Sequence, residues 1–252
     1  MKNTTPKPHI SRFNGIFKLI PWIAFIIVFT SLMKLGFWQL SRAEQKTVLL
    51  EKSEAKRTQP AISFEQLEKL EDKRYVPVIL KGKWLKSWSF YLDNRFQDGI
   101  SGYNIFSLFE DESGSKVYVD RGWQAITNDR KFNYVAPNVQ QVKVLGYVYQ
   151  PSVYQVVNVP KLTAEVVAIV PGLDVPQFSS TLAEHQIELA PFIVRQVFPE
   201  IEEGLVRKWR IVGSPPERNI GYAVQWFLMA LALLVLAIMN AKKNYKDKAK
   251  SA

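Results

Sequence analysis

The sequence predicts a membrane protein in which two transmembrane helices flank a mainly β, barrel- or sandwich-like (α+β) extracytoplasmic domain. Three observations carry that prediction. Residues 19–40 form an apolar stretch of 22 residues whose only charge is Lys34, and about 20 residues span a bilayer. Residues 220–239 form a second stretch of 20 residues without any charge. Between the two, short apolar or alternating runs are separated by Gly, Asn, Asp and Pro clusters, which is the pattern of strands and turns.

The chain therefore divides into a tail at 1–18, a first span at 19–40, a domain at 41–218, a second span at 219–240 and a Lys-rich tail at 241–252. The window Gly36-Phe37-Trp38-Gln39-Leu40-Ser41-Arg42 offers no small-residue cleavage site, so the first stretch reads as an anchor and not as a secretory signal. Residues 40–57 lack Pro and Gly and are rich in Ala, Glu, Lys and Leu, so the helix continues past the span. Ser63-Phe64-Glu65-Gln66 has the spacing of a capping box and opens a short helix through Leu70. Strand-like runs follow at 76–80, 89–92, 105–109, 117–119, 142–149, 155–159, 166–170 and 192–198, and residues 174–185 suit one short helix. Turn chemistry separates them at Asp93-Asn94, 111–114, Asn128-Asp129 and Pro171-Gly172. Many short strands with few helices predict an antiparallel barrel or sandwich, not a doubly wound sheet.

Composition removes much chemistry. With no cysteine, disulfides, thiolate zinc sites, iron–sulfur clusters and redox CxxC pairs are excluded. His9 and His185 are the only imidazoles, which leaves no histidine-rich metal site, so neither a metal site nor a catalytic residue is assigned. The net charge of +10 is concentrated beside the spans: four basic residues precede the first, and Lys242, Lys243, Lys246, Lys248 and Lys250 follow the second against Asp247. Residues 41–218 carry 23 basic and 22 acidic side chains. Excess charge placed this way matches lipid headgroups and not nucleic acid. Cations near the membrane ends are as numerous on the domain side as on the tail side, so charge alone leaves the orientation open.

Four constellations stand out, each with a plain structural alternative. Trp38, Arg42 and Lys46 follow at i, i+4 and i+8 on one helical face, with Gln39 beside Arg42; this is an interfacial anchor or a polar-aromatic surface for a ligand bearing carboxylates. Asp93-Asn94-Arg95 with Gly99 and Gly102-Tyr103 is hairpin chemistry or part of a site. Asp120-Arg121-Gly122-Trp123 reads as a strand closed by a charged pair. Tyr222, Gln225 and Trp226 share a face of the second span, and a polar Gln there is expected to pack on the other helix or a ligand.

In this order and around this topology, Gly36-x-Trp38-Gln39-x-x-Arg42-x-x-x-Lys46, Asn94-Arg95 with Gly102-Tyr103, Arg121-Gly122-Trp123 and Tyr222-Ala-x-Gln225-Trp226-Phe227 resemble the Surfeit locus protein 1 family over nearly the whole chain. The resemblance implies an assembly factor for haem–copper cytochrome c oxidase in the respiratory chain. Such a factor assists maturation of the catalytic subunit through handling or insertion of haem a, and is no enzyme. It implies that subunit I of the oxidase, other assembly factors and the lipid bilayer are partners, with no nucleic acid. It also implies cytoplasmic ends and a periplasmic domain, and the short N-terminus points to a multi-pass protein of a bacterial cell inner membrane. Candidate haem- or partner-binding residues are Trp38, Gln39, Arg42, Lys46, Asn94, Arg95, Tyr103, Arg121, Trp123, Asn219, Tyr222, Gln225 and Trp226.

One position departs from the family. The resemblance places a haem-ligating His three residues before Tyr222, where this chain has Asn219, and asparagine is not among the usual axial ligands of haem iron. Haem a would then be held through Tyr222 or by packing, with Arg42 or Arg121 pairing its propionates. Two other functions remain open: a cofactor-free scaffold holding an oxidase assembly intermediate, and a membrane-tethered extracytoplasmic enzyme. The enzyme would need a nucleophile–base pair or paired carboxylates, and the G-x-S-x-G and G-x-x-x-x-G-K motifs are absent.

Overall fold

A computed structural model describes residues 13–127, 137, 141–151, 160–164, 167–198 and 204–250. The chain divides into a unit formed by Met1–Leu50 and Val212–Ala252 and a second unit, Glu51–Ile211. The expected strand at 155–159 and the turn at Asn128-Asp129 lie outside the described residues.

The first unit is a helix pair. Helix α1 runs Phe13–Arg57 without interruption, continuing past the apolar stretch as the composition of 40–57 predicts. At 1.5 Å per residue its 45 residues extend roughly 68 Å, about twice the hydrocarbon thickness of a bilayer. The other long helix is Pro216–Lys250, 35 residues. Both are long and apolar enough to cross a membrane. On α1 the less exposed residues include Phe25, Phe29, Leu32, Gly36, Gln39, Ala43, Lys46 and Leu50; on the other helix they include Asn219, Ala223, Trp226, Ala230, Leu233 and Ala237. Steps of three and four alternate along both seams, which is the heptad spacing of paired helices. Small residues recur along the seam at Gly36, Ala43, Ala223, Ala230 and Ala237, as expected where packing must replace a hydrophobic driving force.

The second unit holds β1 (Ile62–Ser63), α2 (Phe64–Glu68), β2 (Pro77–Trp84), β3 (Phe90–Gln97), β4 (Ile100–Asp111), β5 (Lys116–Ala125), β6 (Gln141–Tyr149), β7 (Ala168–Val170), α3 (Val175–Ala183) and β8 (Leu189–Phe198); the helix Pro216–Lys250 is thus α4. Five strands close on themselves. β2 pairs β6, β6 pairs β8, β8 pairs β5 in parallel, β5 pairs β4, and β4 returns to β2 through Gly82↔Asp111, Lys83↔Glu110 and Trp84↔Phe109. This is a five-stranded Greek-key barrel, the architecture of the OB-fold, so of the two all-β forms expected the barrel is the one present. β4 is long enough to serve two neighbours: its C-terminal end closes the barrel on β2 while its N-terminal half pairs β3. β7 extends the sheet beyond β3 and β1 lies along β2.

Alternation along the strands makes two cores. Inside the barrel are Val78, Leu80, Trp84, Phe109, Val117, Val119, Val144, Phe192 and Val194, with Phe64 and Leu67 of α2 in the same cluster. The capping box forms as its spacing predicts: Ser63 Oγ accepts from the Gln66 N–H while the Gln66 side chain accepts from the Ser63 N–H. On the opposite face of the sheet, Phe90, Phe106, Leu108, Tyr118 and Ile193 pack with Phe178 and Leu182 of α3, whose N-cap is Asp174.

Two local expectations fail for one reason. Asp93-Asn94 is not a turn: it is a bulge inside β3, where the pairing slips between Leu92 and Arg95 and Asn94 takes φ +57°. Asp120-Arg121 does not close β5, which continues to Ala125. Polar residues that read as strand ends are carried inside the strands because the long β4 offers pairing partners on both of its sides.

Candidate functional site

The conspicuous polar feature of the helix pair is a hydrogen-bonded cluster on its seam. Lys46 Nζ donates to Ser214 Oγ at 2.8 Å and to Asn219 Oδ1 at 2.6 Å, and Asn219 Nδ2 donates to Gln39 Oε1 at 2.6 Å. Gln39 and Lys46 are seven residues apart, two turns of α1, so both fall on the seam of the heptad. Asn219 stands in the first turn of α4 and spans the distance between them. All four residues are half-buried. A cation, two amides and a hydroxyl satisfied by one another fix the register of the two helices, because a slip of one residue would leave each without its partner.

One turn further, the seam tightens. Gly36 is buried, and a Cβ built on it would lie 2.5 Å from Phe227 Cε1. The Phe227 ring is met edge-on by Phe37, with centroids 5.3 Å apart. Trp226 is half-buried on the same seam.

The remaining candidates on these helices separate from the cluster. Trp38, Arg42 and Lys46 do not act as one face: Trp38 is 54% exposed, and exposed Arg42 donates to Gln45 Oε1 at 3.0 Å. Only Lys46 of the three turns to the seam, because Gln39, and not Trp38, is its heptad mate. Gln225 is exposed, against the expectation that it packs on the other helix; the seam passes through Ala223 and Trp226 on either side of it. Tyr222 is also exposed, and its hydroxyl lies 3.4 Å from Arg218 Nη2.

In the barrel unit the two middle motifs converge. Arg95 pairs Gly102, and Gly102, Tyr103 and Asn104 pair Ala125, Gln124 and Trp123. Trp123 Nε1 donates to the Arg95 carbonyl at 3.0 Å, and Tyr103 Oη donates to Gln124 Oε1 at 2.8 Å. A Cβ at Gly102 would lie 2.2 Å from the Gln124 carbonyl oxygen and 2.5 Å from the Trp123 ring. Val206 then pairs with Trp123 through both backbone bonds, at 2.8 and 2.7 Å. Arg95, through its backbone, and Gly102, Tyr103 and Trp123 therefore form one joint that fastens residues 204–207 to the barrel. Tyr103 and Trp123 are buried, while Asn94 and Arg95 are exposed.

Arg121 is 1% exposed. Its guanidinium lies 5.6 Å from the Trp84 ring and its Nη1 donates to Ser107 Oγ at 3.4 Å, among the side chains of the barrel interior. The guanidinium of Arg121 is thus enclosed by the strands in this structure.

Adjacent residues of a strand point to opposite faces, so Asp120 does not pair with Arg121. Asn104 Nδ2 donates to both Asp120 oxygens at 2.9 Å, and Arg195 Nε lies 3.7 Å away. Arg195 in turn sits 3.6 Å over the Tyr149 ring and 5.2 Å from the Trp209 ring. Burial pushes the Asp120 carboxyl up to about 7 despite the Arg195 charge and the Asn104 hydrogen bonds. Sequence reasoning passed over Asn104, Tyr149 and Arg195, although Arg195 interrupts the apolar run 192–198 and that charge was the available signal. Ser214 gave none.

Haem does not fit the Asn219 cluster as an iron-ligated group. Both ends of the Asn219 amide are engaged by Lys46 and Gln39, and an amide is not an axial ligand of haem iron in any common arrangement. His185, the imidazole among the described residues, packs at a tilt of 55° against Trp88 in the barrel unit with centroids 4.7 Å apart. Among the described residues no group of three or more His, Asp or Glu could hold a metal ion.

Comparison with known proteins returns one family. The description "SURF1 family" belongs to a family model that matches residues 26–231. A "SURF1-like protein" of Rickettsia felis is 27% identical over 228 residues, covering 85% of this chain and 93% of that protein. Its counterpart in Rickettsia conorii is 25% identical over 232 residues, 86% and 89% of the two chains. The "Cytochrome oxidase assembly protein SHY1" of Saccharomyces cerevisiae is 31% identical over 126 residues, covering 46% of this chain and 32% of that protein.

Proposed function

This chain belongs to the SURF1 family, and from that premise we propose that it is an assembly factor for a haem–copper cytochrome c oxidase. The observation that carries the reading is the span of the family match, 26–231, which takes in most of the seam of both long helices and the whole barrel unit. The yeast relative named for cytochrome oxidase assembly supports it. In this reading the protein works by holding an assembly intermediate, and the family match is what supports it.

Within this reading the chain crosses a bacterial inner membrane twice, keeps both tails in the cytoplasm and presents the barrel to the periplasm. The helix pair binds a membrane-embedded assembly intermediate containing the catalytic subunit, oxidase subunit I, in concert with other assembly factors. The residues at 219 favour such a scaffold over a haem a carrier that ligates iron there.

The test is a strain lacking this protein. Reduced-minus-oxidised spectra of its membranes should lose the oxidase haem signal, oxidase-linked oxygen consumption should fall, and the intact chain should restore both. Unchanged oxidase content and activity would overturn the assembly reading. A Soret band on protein purified from haem-supplied cells, lost on Arg42→Ala, would overturn the scaffold form and leave the assembly role standing.

A further inference from the structure

The β3–β4 hairpin ends in an apolar tip bordered by cations. Its turn residues Asp98 and Gly99 have φ of +50° and +84°, the pair of positive values that a two-residue hairpin favours. Phe96 pairs Ser101 and Gln97 pairs Ile100, so Phe96 and Ile100 project from opposite faces of the ribbon. They are 57% and 58% exposed. A single exposed apolar residue is ordinary, but here one stands on each side of the same tip.

The cations are held there by the fold. Gln97 Nε2 donates to the Lys208 carbonyl at 3.0 Å, and the Asp98 carboxylate accepts from Lys208 Nζ at 3.0 Å and Arg210 Nη2 at 3.1 Å. Exposed Arg95, three residues before Asp98, adds a third basic residue to the hairpin. A wedge that is apolar on both faces and cationic at its base matches the boundary between the acyl chains and headgroups of an anionic bilayer. The covalent chain supplies a second argument. Arg210 lies six residues before Pro216, the first residue of a helix long and apolar enough to cross a membrane, and six residues reach at most about 20 Å. A lipid surface is thus the partner that connectivity keeps within reach of the tip.

We propose that the β3–β4 hairpin is a membrane-docking wedge: Phe96 and Ile100 enter the interface while Arg95, Lys208 and Arg210 pair with lipid phosphates. The chain has no cysteine, so Ile100→Cys gives a single site for an environment-sensitive nitrobenzoxadiazole label. Ser113→Cys, in the exposed β4–β5 turn, provides the reference. Both are prepared as full chains in nanodiscs of 7:3 phosphatidylcholine to phosphatidylglycerol containing doxyl-labelled lipid. The label at 100 should emit to the blue of that at 113 and be quenched several-fold more strongly. Quenching should fall by half or more in pure phosphatidylcholine or with Lys208→Gln and Arg210→Gln. Equal quenching at the two positions would overturn the proposal. So would a blue shift at 100 without lipid quenching, which would mean that protein covers the tip.

Discussion

Asn219 is the hydrogen-bond centre between the two long helices, accepting from Lys46 at 2.6 Å and donating to Gln39 at 2.6 Å through the two ends of one amide. Polar bonds between membrane helices contribute about 1–2 kcal/mol in model peptides and less in larger proteins. Asn219→Leu should weaken the pair by about that amount. Asn219→Asp keeps the acceptor toward Lys46, and Gln39 can turn its amide to donate, so its effect should be smaller. The check is dodecyl sulfate titration of full chains carrying a fluorescent pair at the helix ends. Equal midpoints for the two variants would show that residue 219 merely fills space.

Gly36 and Phe227 form a second constraint on the same seam. A methyl at 36 meets the ring at 2.5–2.9 Å, and overpacking of this kind costs about 1–3 kcal/mol. Gly36→Ala should lower the dodecyl sulfate midpoint, and adding Phe227→Ala should recover most of the loss. Additive effects in that double-mutant cycle would mean the two residues are not coupled.

Gly102 has no such remedy. The atom nearest an added methyl is the Gln124 carbonyl oxygen, 2.2 Å away in the neighbouring strand, and backbone cannot swing aside as a ring can. Gly102→Ala should therefore destabilise the barrel by at least about 3 kcal/mol, the upper end of overpacking costs. The readout is the midpoint of chemical unfolding of the full chain in mild detergent. A midpoint within error of the parent chain would refute the close-approach argument.

The Asp120 carboxyl makes stability depend on pH. Burial raises its pKa to about 7 in the folded protein, above the ordinary value of about 3.9, so the native state holds the proton more tightly than the unfolded chain. The resulting stabilisation is full below about pH 4 and is lost as pH rises through about 7, with a limiting slope of about 1.4 kcal/mol per unit. Unfolding midpoints should be lower at pH 8 than at pH 5, and Asp120→Asn should narrow that difference. A larger difference in the variant would contradict the sign.

Much of this architecture was legible because it rests on local rules. The two apolar stretches, the Ser63–Gln66 capping box and the short helix within 174–185 depend on neighbouring residues and appear where the sequence puts them. The motif residues were visible as types, yet their grouping was not. Trp38 and Gln39 are adjacent in the chain, but only the mate helix decides that Gln39 and Lys46 turn inward while Trp38 and Arg42 stay exposed.

The sequence by itself determined that the chain has two membrane-length helices, a mainly β unit between them, no thiol chemistry and an amide at position 219, since length, period and composition are local properties. Tertiary structure alone decided that five strands close into a barrel, that Arg121 is enclosed while its neighbour Asp120 meets Asn104 and Arg195, and that Asn219 joins residues 173 and 180 positions away. Those outcomes depend on strand register and helix pairing, and such pairings are set by which distant surfaces can be buried together, not by any residue's own preference.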